Sequence, residues 1–175
     1  MNRIKEILDK SETLLEHMLE RRKLQAGRIF TEKYRVWKYK FKNETDFFMQ
    51  NKEDDKNNLV ISCLNSSIIT GKNAYQIAWY NEEIYVDPYP PCTYYAPEFL
   101  FYEIQRDIEE IKRFLNQNFI RVMDYEMEEV RRKYMKKIYF LGKDFMVSLI
   151  QENGKQNIKI WFGEYMKDVE CIGEA

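Results

Sequence analysis

Histidine and cysteine are scarce in this chain of 175 residues, and their scarcity excludes several kinds of site. The sequence holds one histidine, His17, and three widely spaced cysteines, Cys63, Cys92 and Cys171. A zinc site needs several imidazole or thiolate ligands close together, and a nucleophilic dyad needs a base beside its nucleophile. We therefore expect no metal, no disulfide framework and no histidine-centred catalytic site, and we interpret His17 as a half-exposed helix residue.

Glycine-rich motifs and long apolar runs are also missing from the sequence. The six glycines form neither a GxxxxGK[ST] phosphate loop nor a GxGxxG turn, so we expect no nucleotide cofactor. No run approaches the roughly 18 apolar residues of a membrane span. The charged N-terminus lacks the apolar core of a secretory signal. These absences predict a cytoplasmic protein with no cofactor and no membrane partner.

The composition that is present predicts one folded domain. Apolar residues make up 45% of the chain and aromatic residues 15%, which is enough for a sizeable core. The length suits a single α+β domain over residues 1–175. The abundance of lysine, asparagine, isoleucine and tyrosine is typical of a bacterial or phage protein from an AT-rich genome.

Hydrophobic periodicity predicts the order of the elements along the chain. Apolar residues at spacings of three, four and seven predict an amphipathic helix over residues 2–25, which Gly27 ends. This helix either packs on the sheet of its own domain or pairs with a second copy, so residues 1–26 are a candidate dimerisation element. The remaining predicted segments are strand 28–42, loop 43–58, strands 59–69, 74–80 and 84–87, helices 97–116 and 124–138, strands 143–151 and 157–163, and a last strand or frayed segment 165–172.

Together these elements predict an α+β fold. The connections between the early strands are too short for crossovers, which favours antiparallel pairing. An Asn153-Gly154 dipeptide is typical of a hairpin turn between two late strands. We therefore expect an antiparallel sheet of about five to six strands, with the N-terminal helix and a central helix pair packed on one face.

Charge is segregated along the chain, although the net charge is only -1. Residues 20–42 hold nine cations and two anions, a net +7, whereas residues 81–110 hold eight anions and one cation, a net -7. These two regions either meet each other in the fold, mediate head-to-tail assembly, or dock an oppositely charged partner. Within the basic region, the aromatics Trp37, Tyr39 and Phe41 alternate with lysines, which indicates buried rings and solvated lysines.

The most unusual stretch is a loop rich in proline and tyrosine. All four prolines lie between Pro88 and Pro97. Rigid aromatic loops are typical of recognition surfaces, although such a loop could instead only pack its rings onto the sheet. Asp87 is the best candidate for a catalytic carboxylate, facing Glu98 or Glu103, or else it forms a turn before Pro88. The candidate partner-binding residues are Tyr85, Asp87, Tyr89, Tyr94 and Tyr95.

These features favour a non-enzymatic protein-binding module, such as an immunity protein, an antitoxin or a chaperone-like adaptor. Since the loop lies in the acidic region, we expect a basic protein partner. One alternative is a small-molecule pocket lined by Trp79, Tyr85 and Tyr102, with carboxylate-based hydrolase activity at Asp87. A second is nucleic-acid binding through residues 21–42, which the alternation of rings and lysines disfavours.

Overall fold

The computed structural model describes residues 3–51, 56–87, 89–152 and 158–174. Within these ranges the chain is α+β, as the sequence predicts. The helices are α1 (Arg3–Glu32), α2 (Tyr34–Gln50), α3 (Asn65–Thr70), α4 (Glu98–Phe101), α5 (Ile104–Asn118), α6 (Asp124–Leu141) and α7 (Lys143–Gln151). The strands are β1 (Asn58–Cys63), β2 (Tyr75–Tyr80), β3 (Cys92–Tyr95), β4 (Lys159–Glu164) and β5 (Val169–Glu174).

The chain divides into two compact units. The helical unit comprises Met1–Ile29 and Glu98–Leu141, and the sheet unit comprises Phe30–Pro97 and Gly142–Ala175. The segments of the two units therefore alternate along the sequence, and only the second segment of the helical unit is inserted within the sheet unit. The single-domain organisation stays a prediction.

The sheet is mixed, so the predicted antiparallel sheet is wrong in this respect. Its strand order is β3-β2-β1-β4-β5. β1 is antiparallel to β2 but parallel to β4, with Leu59 opposite Ile160. Short connections do favour antiparallel pairing, and β1, β2 and β3 follow that rule. The long connection between β1 and β4 permits a parallel pair that local sequence patterns do not reveal.

Two helices cover one face of the sheet within the sheet unit. α2 contacts β3, α7 contacts β5, and the two helices contact each other. The ring of Phe41 in α2 meets Tyr95 of β3 edge-on at 4.9 Å between centroids. On the opposite face, Val60, Ala78 and Tyr80 form a second apolar cluster. All six residues of β1 and of β2 are consequently buried.

Residues 28–42 were predicted as a strand and residues 43–58 as a loop, and both predictions are wrong. α1 continues to Glu32, and α2 occupies most of the remainder. Along α2 the buried residues recur every four positions, at Trp37, Phe41, Thr45 and Met49. This spacing places them on one helical face, whereas Tyr39 between them is exposed. The alternation of aromatics from Trp37 to Phe41 is therefore too short a pattern to distinguish a strand from this helix.

Three further strand predictions need correction. Residues 143–151 form helix α7, in which Met146, Leu149 and Ile150 are buried at helical spacing. Residues 59–69 divide into most of β1 and helix α3. Residues 84–87 form turns outside the sheet. The predicted hairpin turn at residues 153–154 lies outside the described residues.

The helical unit is built from α1, α4, α5 and α6. The buried residues of α1 follow one stripe, from Ile7 through Leu15 and Met18 to Ala26. Gly27 does not end α1, since it lies inside a continuous helix. Ion pairs join the helices: Arg3 with Glu126 at 2.7 Å, and Glu12 with two lysines of α6. The stripe is thus buried within one chain, and dimerisation through residues 2–25 stays a prediction.

Candidate binding surface at the edge of the sheet

The proline-tyrosine loop crosses the face of the sheet that α2 and α7 leave uncovered. Tyr85 adopts a left-handed backbone conformation with φ of +69°. Its ring lies between Tyr80, at 5.4 Å, and Tyr165, at 5.7 Å between centroids. Its hydroxyl lies 3.2 Å from the Ser62 hydroxyl oxygen of β1. Burial raises the pKa of Tyr85, and the hydrogen bond with Ser62 partly offsets this effect.

Asp87 organises the turn that follows Tyr85. Its carboxylate accepts a hydrogen bond from the Tyr89 backbone N–H at 2.9 Å. It also pairs with the Lys56 Nζ at 3.2 Å. The Tyr89 N–H and then Lys56 lower the pKa of Asp87, so its carboxylate is charged and occupied. The contacts match the turn-forming role that the sequence allowed for this residue.

β3 is an edge strand of the sheet. Its register with β2 determines which of its backbone groups point towards β2 and which point away. Trp79 N–H donates to Pro91 C=O at 3.0 Å, and Ile77 lies opposite Thr93. In an antiparallel ladder such hydrogen-bonded pairs alternate with pairs that do not exchange bonds. Pro91, Thr93 and Tyr95 therefore point their backbone groups at β2. The N–H and C=O groups of Cys92 and Tyr94 point away from the sheet.

The side chains of β3 alternate between the two faces of the sheet. Tyr95 is only 2% exposed and packs on Phe41, so this candidate residue belongs to the core. Tyr94 is 56% exposed on the opposite face, and Tyr89 in the preceding loop is 90% exposed. Of the five candidate residues, Tyr89 and Tyr94 thus present large exposed rings, whereas Tyr85 and Asp87 hold the loop in place.

A groove of about 290 Å³ runs between α2 and the outer side of β3. Its helical wall includes Glu44 and Phe47, and its other wall includes Pro91, Cys92 and Thr93. Phe47 is 84% exposed, which is unusual for a large apolar side chain. We call this groove, the outer edge of β3 and the exposed rings of Phe47, Tyr89 and Tyr94 the β3 edge surface.

The helical wall of the groove is anchored to the sheet. The ring of Phe48 stacks on Trp79 at 5.8 Å between centroids. The indole N–H of Trp79 also donates to the Phe48 carbonyl at 3.4 Å. Asn51 follows α2 and donates from its side chain to the Phe47 carbonyl at 2.6 Å. These contacts hold Phe47 at the rim of the groove.

A buried acceptor lies beside Tyr94 on the same face of the sheet. Gln76 of β2 is opposite Tyr94 in the register and is 8% exposed. Its Oε1 has no hydrogen-bond partner among the described residues. Burying such a group unpaired costs free energy. Burial raises the pKa of Tyr94, which keeps its hydroxyl neutral and able to donate.

The sequence missed the contribution of α2 to this surface. Glu44 and Phe47 lie in a segment that was predicted as a loop. The four-residue spacing from Trp37 to Met49 was the signal that could have placed them on a helix. Trp79 and Tyr85, two of the residues predicted to line a small-molecule pocket, lie on opposite faces of the sheet, and the pocket itself stays a prediction.

No metal or membrane element accompanies the surface in the described parts of the chain. Residues 3–51, 56–87, 89–152 and 158–174 contain no cluster of three or more histidine, cysteine or carboxylate side chains that could hold a metal ion. Across the same ranges, no helix combines the length and apolar character of a membrane span. Comparison of the whole chain with protein families, curated proteins and solved structures found no significant match.

Proposed function

We propose that this protein is a protein-binding module that adds an extended segment of a partner protein to the outer edge of β3. One observation carries this proposal: the backbone N–H and C=O groups of Cys92 and Tyr94 point out of the sheet beside an open groove. Strand addition takes its affinity from main-chain hydrogen bonds and its specificity from pockets for alternate side chains. The β3 edge surface supplies both.

The geometry limits the length of the partner segment. β3 contains four residues, with Pro91 immediately before it and Pro97 soon after it. Proline has no N–H to donate, and natural proteins use it to blunt exposed edges. The partner strand therefore makes its backbone hydrogen bonds with Cys92 and Tyr94 only. Its side chains alternate between the groove beside Phe47 and the opposite face beside Tyr94.

The charges near this edge favour a basic segment. Glu44 lines the groove, and Glu82 and Glu83 are exposed in the turn that follows β2. A lysine or arginine of the partner can pair with the exposed carboxylates of Glu82 and Glu83. Opposite charges of this kind raise association rates and select partners, so binding weakens as salt rises.

The backbone contribution is tested by two substitutions at one position. Cys92→Pro removes the outward N–H, at an edge position where proline is tolerated, while the inward bonds of Thr93 and Tyr95 remain. Cys92→Ala removes the thiol and keeps the N–H. Random peptides displayed on phage are selected on the wild-type protein, with the proline variant used for counter-selection. Affinities of the enriched peptides are then measured by fluorescence anisotropy.

We expect enriched peptides to carry lysine or arginine and to bind the Cys92→Pro variant about tenfold or more weakly, with the Cys92→Ala variant unchanged. Failure to enrich any peptide against the proline variant would overturn the proposal. Equal binding by both variants would overturn it as well. Sedimentation velocity of the free protein tests whether a second copy of this chain occupies the edge instead. A concentration-dependent dimer that is lost in Cys92→Pro would show that it does.

The side-chain contribution is tested with alanine variants of the exposed rings. Phe47→Ala and Tyr94→Ala should each weaken the selected peptides, because large aromatic side chains dominate binding energy at interfaces. Tyr39→Ala is the matched control, since Tyr39 is also an exposed aromatic on α2 but does not line the groove. Equal losses in Phe47→Ala and Tyr39→Ala would contradict a role for the groove.

A further inference from the structure

A second open site lies in the helical unit and shares no residue with the β3 edge surface. The cleft has a volume of about 690 Å³. One wall is a face of α1 that carries His17, Arg21, Leu24 and Arg28 at spacings of four, three and four. The other wall is the beginning of α5, which includes Arg106. The only histidine of the chain therefore lines a cleft.

The floor of the cleft is a buried ionic network. Asp107 is 2% exposed, and its carboxylate pairs with the guanidinium groups of Arg21 and Arg22. Tyr134 donates its hydroxyl to the same carboxylate at 2.5 Å. Arg22 also donates to the Tyr102 carbonyl. The charged groups of the floor thus pair with one another, and these contacts fix them in position before any ligand binds.

The rim of the cleft carries two arginines whose charges are unpaired among the described residues. Arg28 and Arg106 are exposed, and neither guanidinium group makes a hydrogen bond or ion pair with any residue in the described ranges. No side chain caps the N-terminus of α5 on the same wall, so the positive end of the helix dipole adds to their field. Of the three acidic residues that line the cleft, Asp107 pairs with Arg21 and Arg22, Glu103 accepts a hydrogen bond from Gln25, and Glu20 is exposed on the wall formed by α1.

We propose that this cleft binds a small phosphorylated ligand, whose phosphate pairs with Arg28 and Arg106. A guanidinium fork matches the oxygens of a phosphate, and a dianion balances two arginines. Leu24, which is 75% exposed, offers an apolar surface for the rest of the ligand. This site is independent of the proposed peptide-binding edge.

The surroundings favour a small anion over a nucleic acid. α5 carries Glu109 and Glu110 directly after its first turn, and Glu20 lies on the wall formed by α1. A long polyanion would meet these carboxylates as soon as it extended beyond the two arginines. The high net positive charge of the basic segment is also partly consumed by the pairs with Asp107 and Glu110.

Titration of the full-length protein with pyrophosphate, followed by isothermal calorimetry at constant ionic strength, tests the proposal. We expect saturable binding of one pyrophosphate per chain, and a loss of about tenfold or more in Arg28→Gln and in Arg106→Gln. Both arginines are exposed and unpaired, so thermal unfolding should be unchanged in these variants. Lys23→Gln and Lys112→Gln remove the same charge from α1 and α5 outside the cleft and should bind as the wild type does.

Four results would overturn the proposal. The first is the absence of saturable binding of pyrophosphate. The second is an equal loss in the arginine and lysine variants, which would indicate unspecific attraction to the net charge. The third is binding of succinate as tight as that of pyrophosphate, which would show a dicarboxylate site instead. Tighter binding of a single-stranded oligonucleotide than of pyrophosphate would likewise exclude a small-ligand site.

Discussion

The ionic network in the helical unit allows a quantitative test of the fold. Asp107→Asn keeps the shape of the side chain but removes its charge. The Arg22 side chain is 3% exposed and pairs with no other carboxylate among the described residues, so its charge would remain buried without a counter-ion. Breaking one partner of a buried ion pair costs about 3–5 kcal/mol. We therefore expect the free energy of unfolding to fall by about this amount.

The matched control is the partly exposed member of the same network. Glu110 pairs with Arg21 at 2.8 Å, and their side chains are 33% and 45% exposed. Solvent screens such a pair, so Glu110→Gln should cost less than about 1 kcal/mol. Both variants remove one negative charge from α5, and only the burial of the pair differs.

Urea unfolding followed by circular dichroism at the helical band measures both variants. A lower midpoint at an unchanged slope would show a change in stability rather than in the denatured state. The double variant Arg22→Met with Asp107→Leu should recover most of the loss, because an apolar pair leaves no unpaired buried charge. A cost of Asp107→Asn no larger than that of Glu110→Gln would refute the reasoning.

Three further outcomes follow from the structure. In amide hydrogen exchange, the N–H groups of Thr93 and Tyr95 should be protected, while those of Cys92 and Tyr94 should exchange quickly; protection of all four would contradict the register. Thr93→Pro should lower the melting temperature because it removes an inward ladder bond, whereas Cys92→Pro should leave it nearly unchanged. Two lysines of α6 lower the pKa of Glu12 below its usual 4.5, so its stabilising effect is present above that value and is lost as the pH falls. Acid titration of stability should therefore be shallower in Glu12→Gln, and an identical titration would show that the pairs contribute nothing.

The sequence predicted the secondary structure correctly where the residues of the segment itself define the element. β2, from Tyr75 to Tyr80, lies within the strand predicted at residues 74–80, because it is a dense run of apolar and aromatic residues bounded by turns. α6 begins at Asp124, as predicted, because its apolar residues recur at helical spacing after an acidic start.

Long-range packing decided the segments that the sequence predicted wrongly. Trp37 and Phe41 fit both an alternating strand and a helix with a four-residue stripe. The contact of Phe41 with Tyr95, far along the chain, favours the helix. The parallel pairing of β1 with β4 is also a contact between distant segments, which no local pattern encodes.

The candidate surface was predicted in part. The sequence indicated a recognition loop with exposed tyrosines, and Tyr89 and Tyr94 are exposed. It could not distinguish Tyr94 from its neighbour Tyr95, because the register of β3 on β2 decides which ring points into the core. The left-handed backbone of Tyr85 was equally hidden, since it depends on the rings of Tyr80 and Tyr165.

The pairing of β1 with β4 has a consequence for folding during translation. β1, β2 and β3 emerge before β4, which follows only after α4, α5, α6 and α7 have been translated. During that interval the central strand of the finished sheet is itself an unpaired edge, made of the buried residues from Leu59 to Cys63. Exposed apolar edges of this kind promote aggregation, and pairing over a long chain separation is slow. The nascent chain is therefore most prone to aggregation while α4 to α7 are being translated.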